Sequence, residues 1–336
     1  MGSPGKSIQG LEDNSLAILD SSGVGDARDV HDDRLSFLEA VRAACLASVP
    51  PSPPTWKMYD AILHILLYGR SLELTMASYL LLTELDKHYP RVYWKLPNDS
   101  IPSSIANGEL IVNKEAWSPF WFGSDKPYGE ATGDSRDTKE LYDSLKFSIL
   151  LEEIAFNAKS GIKITEKMML FQYLIYVLEA DFLPLHASYK ETLDWDLLRE
   201  SMLCMLLASR KLNYKSVVRI CMSLISTRCY HENNISDMVN DAKSISAELL
   251  DSCNVGLPFV YTEILRATCA VVQKLLVLIM ELDVVRKEAD SLGLVSRSDG
   301  FRFPIVDTIL DELTYNKDQI SLFLQARTFF CFVLYL

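Results

Sequence analysis

Apolar residues recur every three to four positions along most of this 336-residue chain, and this period constrains its fold more than any other feature. Phe37, Leu38 and Val41 fall on one face of a first helix, and Met58 and Ile62 belong to the buried stripe of the next. A stripe with this spacing packs against other helices. Convincing alternation of apolar and polar residues, the mark of half-buried strands, is absent from the sequence. We therefore expect an all-α protein with roughly two-thirds of its residues in helices.

Caps, prolines and glycines predict where the helices begin and end. The first helix is expected to start near Asp32, and Thr55 and Ser71 are suitable N-caps for the second and third. Successive helices with short connections predict an irregular armadillo/HEAT-like stack, because no repeat of fixed period is legible. Later helices are expected over Thr138–Asn157, Thr165–Ala180, Glu191–Arg210, Tyr214–Thr227, Ser236–Asp251, Pro258–Leu292, Pro304–Tyr315 and from Asp318 onward.

Three segments depart from this helical pattern. Residues 1–31 are polar and rich in Gly, Ser and Asp, and they are predicted to be disordered. Residues 89–137 carry Pro and Gly and no sustained period, which predicts a long loop within a helical domain of residues 32–325. Residues 326–336 form an atypical apolar tail, whose composition predicts aggregation.

The predicted loop contains an aromatic segment, EAWSPFWFGSD from Glu115 to Asp125. Such rings either pack a loop onto the core or form a surface that binds a partner protein. Packing against the chain's own domain is favoured, because four exposed rings would create a large apolar patch. The four rings are also the candidates for a partner interface: Trp117, Phe120, Trp121 and Phe122.

The charge pattern argues against nucleic-acid binding. The net charge is −12, whereas a surface that contacts phosphates concentrates positive charge. The best basic cluster contains Arg210, Lys211, Lys215 and Arg219, with only Tyr214 nearby. Their position near helix ends is a simpler explanation for these cations than nucleic-acid binding. We therefore expect no direct sequence-specific nucleic-acid binding.

The sequence contains no arrangement typical of catalysis or of cofactor or metal binding. The segment Gly2–Ser7 has two residues between its glycines, where a phosphate-binding loop has four. Cys229 and His231, with Cys221, lack a Cys-x-x-Cys pair and a fourth ligand. The seven cysteines are odd in number and widely spaced, which predicts free thiols in a reducing compartment. We predict a non-enzymatic protein without a cofactor, metal or small-molecule substrate.

Membrane insertion is not expected either. No apolar run approaches the roughly 20 residues that cross a bilayer, and the richest, Ala270–Leu282, is broken by Gln273 and Lys274. The N-terminus lacks the apolar core of a signal peptide.

Several segments together resemble the plant negative regulator of systemic acquired resistance, the SNI family. The similarity spans about residues 14–325, with matching order and spacing. The segments that carry it are DRLSFLEAVRAA (33–44), EAWSPFWFGSD (115–125), ETLDWDLLRES (191–201), LLASRK (206–211), LIMELD (278–283) and LDELTY (310–315).

This resemblance implies a nuclear, armadillo-like scaffold that represses defence genes and restrains homologous recombination. The family is similar to a non-SMC accessory subunit of the SMC five/six complex, which acts in DNA repair. The implied partners are another helical accessory subunit and the SMC core, so repression is expected to work through partners. Two alternatives stay open: a cytoplasmic helical-repeat adaptor that binds peptide segments in a groove, and a hydrolase whose site escapes motif recognition.

Two departures from the family pattern are visible. Residues 226–272 are longer and less family-like than the rest. Family members continue past Gln325 with further helices, whereas this chain ends in the apolar tail 326–336. This ending predicts a truncated splice product or a gene-model error.

Overall fold

The computed structural model describes residues 27–49, 51–95, 108–122, 141–160, 164–209, 212–213, 215–225, 256–296 and 311. Helices account for 75% of the structure, and the all-α prediction is confirmed for these residues. Several predicted features lie outside the described residues: the segment 1–26, the helices over 236–251 and from 318 onward, most of the helix over 304–315, and the tail 326–336.

Nine helices and two strands follow one another along the described residues. In chain order they are α1 (Ala27–Arg42, continued by a π-helical turn, Ala43–Ala47), α2 (Trp56–Tyr68), α3 (Leu72–His88), β1 (Val92–Lys95), β2 (Glu109–Val112), α4 (Ser144–Ser160), α5 (Thr165–Thr192), α6 (Trp195–Leu198), α7 (Met202–Ala208), α8 (residues 215–225) and α9 (Gly256–Ser291).

The chain divides into two compact units. The first comprises Met1–Asp143 and Tyr173–Met205, and the second comprises Ser144–Gln172 and Leu206–Leu336. In the first unit, α1, α2 and α3 pack on one another. The predicted stripes are buried, including Phe37, Val41, Met58 and Ile62, because their 3.6-residue spacing places them on the packed faces. Cys45 lies among them as a free, buried thiol.

The second unit is held by apolar packing and a few buried polar bonds. The rings of Phe147 on α4 and Phe171 on α5 lie 5.9 Å apart. Gln172 Nε2 donates to Thr268 Oγ1 at 3.0 Å, which joins α5 to α9. A buried amide must find such a partner, so this bond sets the register between the two helices.

Helix boundaries differ from the predictions where local signals compete with packing. The first helix begins at Ala27, earlier than the expected Asp32. The helix expected over Thr165–Ala180 continues through Pro184 to Thr192. A proline inside a helix removes a hydrogen bond, but the full burial of Phe182 and Leu185 on either side outweighs that cost here.

The prediction of one helix over Glu191–Arg210 is wrong. Leu193 has φ 56°, in the left-handed region, and this conformation ends α5. Asp194 then begins a short new helix, because its Oδ1 accepts a hydrogen bond from the Leu197 N–H at 3.0 Å. The predicted segment is therefore divided among the end of α5, α6 and α7.

The predicted loop 89–137 contains a short sheet that the sequence pattern did not indicate. Strands β1 and β2 pair antiparallel, with Val92 opposite Val112 and Lys95 opposite Glu109. Each strand has four residues, which is too short for alternation to stand out against the surrounding sequence.

Helix α5 differs from the expectation that no apolar run could cross a bilayer. It is long and apolar enough to do so, but 72% of the relevant stretch is buried within the protein. Such burial is typical of a core helix.

The two predicted N-caps behave differently, and a matched pair of variants tests this. Ser71 Oγ accepts a hydrogen bond from the Leu74 N–H at 3.1 Å, whereas the buried Thr55 Oγ1 has no hydrogen-bond partner among the described residues. We expect Ser71→Ala to lower the free energy of unfolding by about 1 kcal/mol. Thr55→Val is expected to be neutral or stabilising, because it removes an unsatisfied hydroxyl. Urea denaturation measures both, and an equal loss for the two variants would contradict the assignment.

Candidate interaction site

The aromatic segment is anchored to α2 by its first ring. The Trp117 indole stacks on the Tyr59 ring, with centroids 4.5 Å apart and planes 4° from parallel. Its Nε1 donates a hydrogen bond to Asp60 Oδ1 at 2.9 Å. Trp117 is 8% exposed as a result. A buried tryptophan is stabilised by ring stacking and by a hydrogen bond from its indole N–H. Trp117 has both, so its ring stabilises the fold.

The second ring of the segment is buried by local backbone pairing. The Trp121 N–H donates to the Tyr142 carbonyl at 3.0 Å, and the Tyr142 N–H donates to the Pro119 carbonyl at 2.8 Å. These bonds hold Phe120, which is 5% exposed, against the first unit. Its ring packs nearly parallel to that of Phe122 at a centroid distance of 5.9 Å.

The structure therefore separates the four candidate interface residues into two pairs. Trp117 and Phe120 are buried, whereas Trp121 and Phe122 remain partly exposed. The Trp121 Nε1 is itself buried and has no hydrogen-bond partner among the described residues. Of the four, Trp121 and Phe122 are the rings that a partner can reach.

Beside the Tyr59–Trp117 stack lies a cleft of about 570 Å³, which we call the aromatic cleft. Its volume is within the range of ligand pockets. The polar lining residues include Lys87, His88 and Glu115, whose charges are of both signs. Aromatic rings and prolines make up most of the wall: Pro53, Pro54, Trp56, Tyr59, Tyr89, Pro90, Tyr93 and Trp117. A wall of this composition suits a short peptide segment, since rings and prolines offer apolar area at little entropic cost.

The Asp86 carboxyl bonds to Tyr59, one of the residues that line the cleft. Burial raises the pKa of Asp86 to about 7, although hydrogen bonds from Tyr173 and Tyr59 act in the opposite direction. The Tyr173 hydroxyl donates to Asp86 Oδ2 at 2.7 Å. The carboxyl thus connects α3, α2 and α5 within the first unit. The sequence analysis did not identify Asp86. The one feature that could have revealed it is the presence of an acidic residue on the same helical face as Leu82 and Leu85.

A second buried network fixes the entry to β1. The Arg91 guanidinium forms an ion pair with Asp181, whose side chain is almost fully buried. Asp181 Oδ2 also accepts a hydrogen bond from the Met202 N–H at 2.6 Å, and Arg91 donates to the Glu200 carbonyl at 3.2 Å. Burial raises the pKa of Asp181, while Arg91 and the Met202 N–H oppose the rise. Because every charge here has a partner, the network is structural.

Two clusters that the sequence analysis rejected as chemical sites were a Cys/His group and a basic group. No group of three or more metal-ligating side chains occurs in the described part of the chain. Burial raises the pKa of the Cys221 thiol to about 12, which disfavours the thiolate that binds metal; Cys229 and His231 lie outside the described residues. Of the basic cluster, Lys215 and Arg219 are exposed on α8, and Arg210, Lys211 and Tyr214 are not described.

Comparison with known sequences relates this chain to one protein family. The family model for the SNI1 middle domain matches residues 91–328. The "Negative regulator of systemic acquired resistance SNI1" of Arabidopsis thaliana is 40% identical over 318 residues. The aligned region covers 94% of this chain and 65% of that relative, so the chain spans just under two thirds of the relative's length. No solved structure matches the chain.

Proposed function

The chain belongs to the SNI1 family, and from this membership we propose that it is a negative regulator of systemic acquired resistance that represses defence genes. The observation that carries the proposal is the 40% identity to the Arabidopsis regulator over 94% of this chain. We further propose that the helices form an irregular armadillo/HEAT-like stack, an architecture whose extended surfaces suit protein binding.

The proposed mode of action is non-enzymatic. A catalytic site needs titratable groups with shifted pKa values that open onto a substrate pocket. Asp86 and Asp181, two carboxyls in the described part of the first unit, are instead held by phenols, a guanidinium and a backbone N–H. Their partners support a structural role, which leaves binding as the activity.

We propose that the protein works in the nucleus as an accessory subunit of the SMC five/six DNA-repair complex. Its partners there would be another helical accessory subunit and the SMC core, and the same assembly would restrain homologous recombination. The net charge of −12 supports action through protein partners rather than by direct contact with DNA phosphates.

A second candidate is a cytoplasmic adaptor that binds peptide segments. The observation that favours it is the aromatic cleft, with its rings and prolines. The same cleft also serves a nuclear scaffold, so the two candidates differ in location and partner rather than in surface.

Complementation tests the proposal. In Arabidopsis plants that lack the relative, expression of this chain is expected to lower the basal transcript level of defence genes towards wild type. The Arabidopsis protein is the positive control. Unchanged transcripts in plants that accumulate the chain would overturn the proposed function.

The same plants distinguish the two candidates. Purification of the tagged chain from nuclear extract is expected to recover SMC-type ATPases. Recovery only from the cytoplasmic fraction, without these ATPases, would favour the adaptor. A variant with both exposed rings removed, Trp121→Ala with Phe122→Ala, shows whether this pair contributes to the complex.

A further inference from the structure

The connection between the π-helical turn and α2 is a partly exposed segment. Residues 51–55 belong to neither helix nor strand, and Pro51 and Pro53 are exposed. The nearby Val49 is 98% exposed. Prolines fix the backbone and lack an N–H, so this segment cannot join a helix or pair with a sheet.

Ser52 lies at the centre of this segment and is followed directly by Pro53. Its side chain is half-buried, and its hydroxyl makes no hydrogen bond to any described residue. Proline-directed kinases select a serine that precedes a proline. Ser52 therefore has the sequence that these kinases select, and it lies outside the helices and strands.

A second Ser-Pro pair in the described residues provides the contrast. Ser118 Oγ accepts a hydrogen bond from the Phe120 N–H at 3.0 Å and contacts Met202 Sδ at 3.4 Å. The Ser118 hydroxyl therefore already has partners within the folded protein, and it lies next to the buried Trp117 in the sequence. Sequence alone does not distinguish the two serines, whereas their surroundings do.

The position of Ser52 links it to the aromatic cleft. Pro53 and Pro54, which follow it, line the cleft together with Lys87, His88 and Glu115. Lys87 is exposed and forms no ion pair with any described residue. A phosphoserine carries about −1.5 to −2 charges near pH 7, so its attachment would change the charge at this edge of the cleft.

We propose that Ser52 is a phosphorylation site for a proline-directed protein kinase and that its phosphate interacts with Lys87 at the aromatic cleft. The kinase transfers the γ-phosphoryl group of ATP to Ser52 Oγ. The bond from the γ-phosphorus to the bridging oxygen breaks, a bond from phosphorus to Oγ forms, the hydroxyl proton passes to the kinase base, and ADP leaves. The inference does not depend on the proposed role in defence.

Mass spectrometry of the full chain tests the site. After incubation with Mg-ATP and a mitogen-activated or cyclin-dependent kinase, phosphate on Ser52 is expected to exceed that on Ser118 by about tenfold or more. Ser52→Ala should remove this phosphate, and Ser118→Ala should leave it unchanged. Equal or greater phosphate on Ser118, or an unmodified Ser52 in the folded chain, would overturn the proposal.

Phosphorus NMR tests the contact with the cleft. The second pKa of the Ser52 phosphate is expected to lie below its ordinary value of about 6. Lys87→Gln should raise that pKa by on the order of 0.5 unit, the size of an exposed ion pair. Lys95→Gln, which changes an exposed lysine outside the cleft lining, is the matched control. An equal effect of the two variants would exclude the proposed contact.

Discussion

Replacement of Trp117 by alanine is expected to lower the free energy of unfolding by about 3–5 kcal/mol, the usual cost of truncating a buried aromatic side chain. The indole is 8% exposed and stacks on Tyr59, so its removal leaves a cavity beside α2. The variant also deprives Asp60 of the hydrogen bond from the indole Nε1. Urea denaturation followed by circular dichroism measures the loss without relying on tryptophan fluorescence.

Trp121→Ala is the matched control for this variant. It removes the same side chain four residues further along, but the Trp121 ring is partly exposed. A smaller loss of stability is therefore expected, because less apolar area leaves water when the protein folds. If Trp121→Ala destabilised the protein as much as Trp117→Ala, the division between anchoring and accessible rings would be wrong.

Replacement of Asp86 by asparagine is expected to stabilise the protein above neutral pH by up to about 4 kcal/mol, from three pKa units at 1.36 kcal/mol each. Burial raises the pKa of Asp86 from 3.8 to about 7 in the folded protein. Between these pH values the folded state holds a proton that the unfolded state has lost. Wild-type stability therefore falls as pH rises from about 4 to 7. Asparagine cannot ionise, and its carbonyl can still accept the Tyr173 hydrogen bond.

The difference between the variant and wild type is the quantity to measure, by urea denaturation at several pH values. It should be close to zero at about pH 3, where Asp86 is protonated in both the folded and the unfolded state, increase up to pH 7, and stay constant above. A difference that is constant from pH 4 to 8 would mean that Asp86 does not titrate as its burial indicates.

The candidate site was predictable only in outline. The sequence singled out four aromatic residues but could not assign them different roles. Trp117 is buried because Asp60, 57 residues earlier in the sequence, accepts its N–H, and because Tyr59 offers a parallel ring. The aromatic cleft likewise combines residues from α2, α3, β1 and the segment after β2, which no local pattern connects.

What the sequence determined by itself was local. The stripes of α2 and α3 and the cap at Ser71 follow from hydrogen bonds and side-chain spacing within a few residues, so they were predictable. Tertiary structure decided the rest: the pairing of β1 with β2 and the raised pKa of Asp86. Each depends on groups far apart in sequence, whose proximity and shared exclusion of water exist only after the chain has folded.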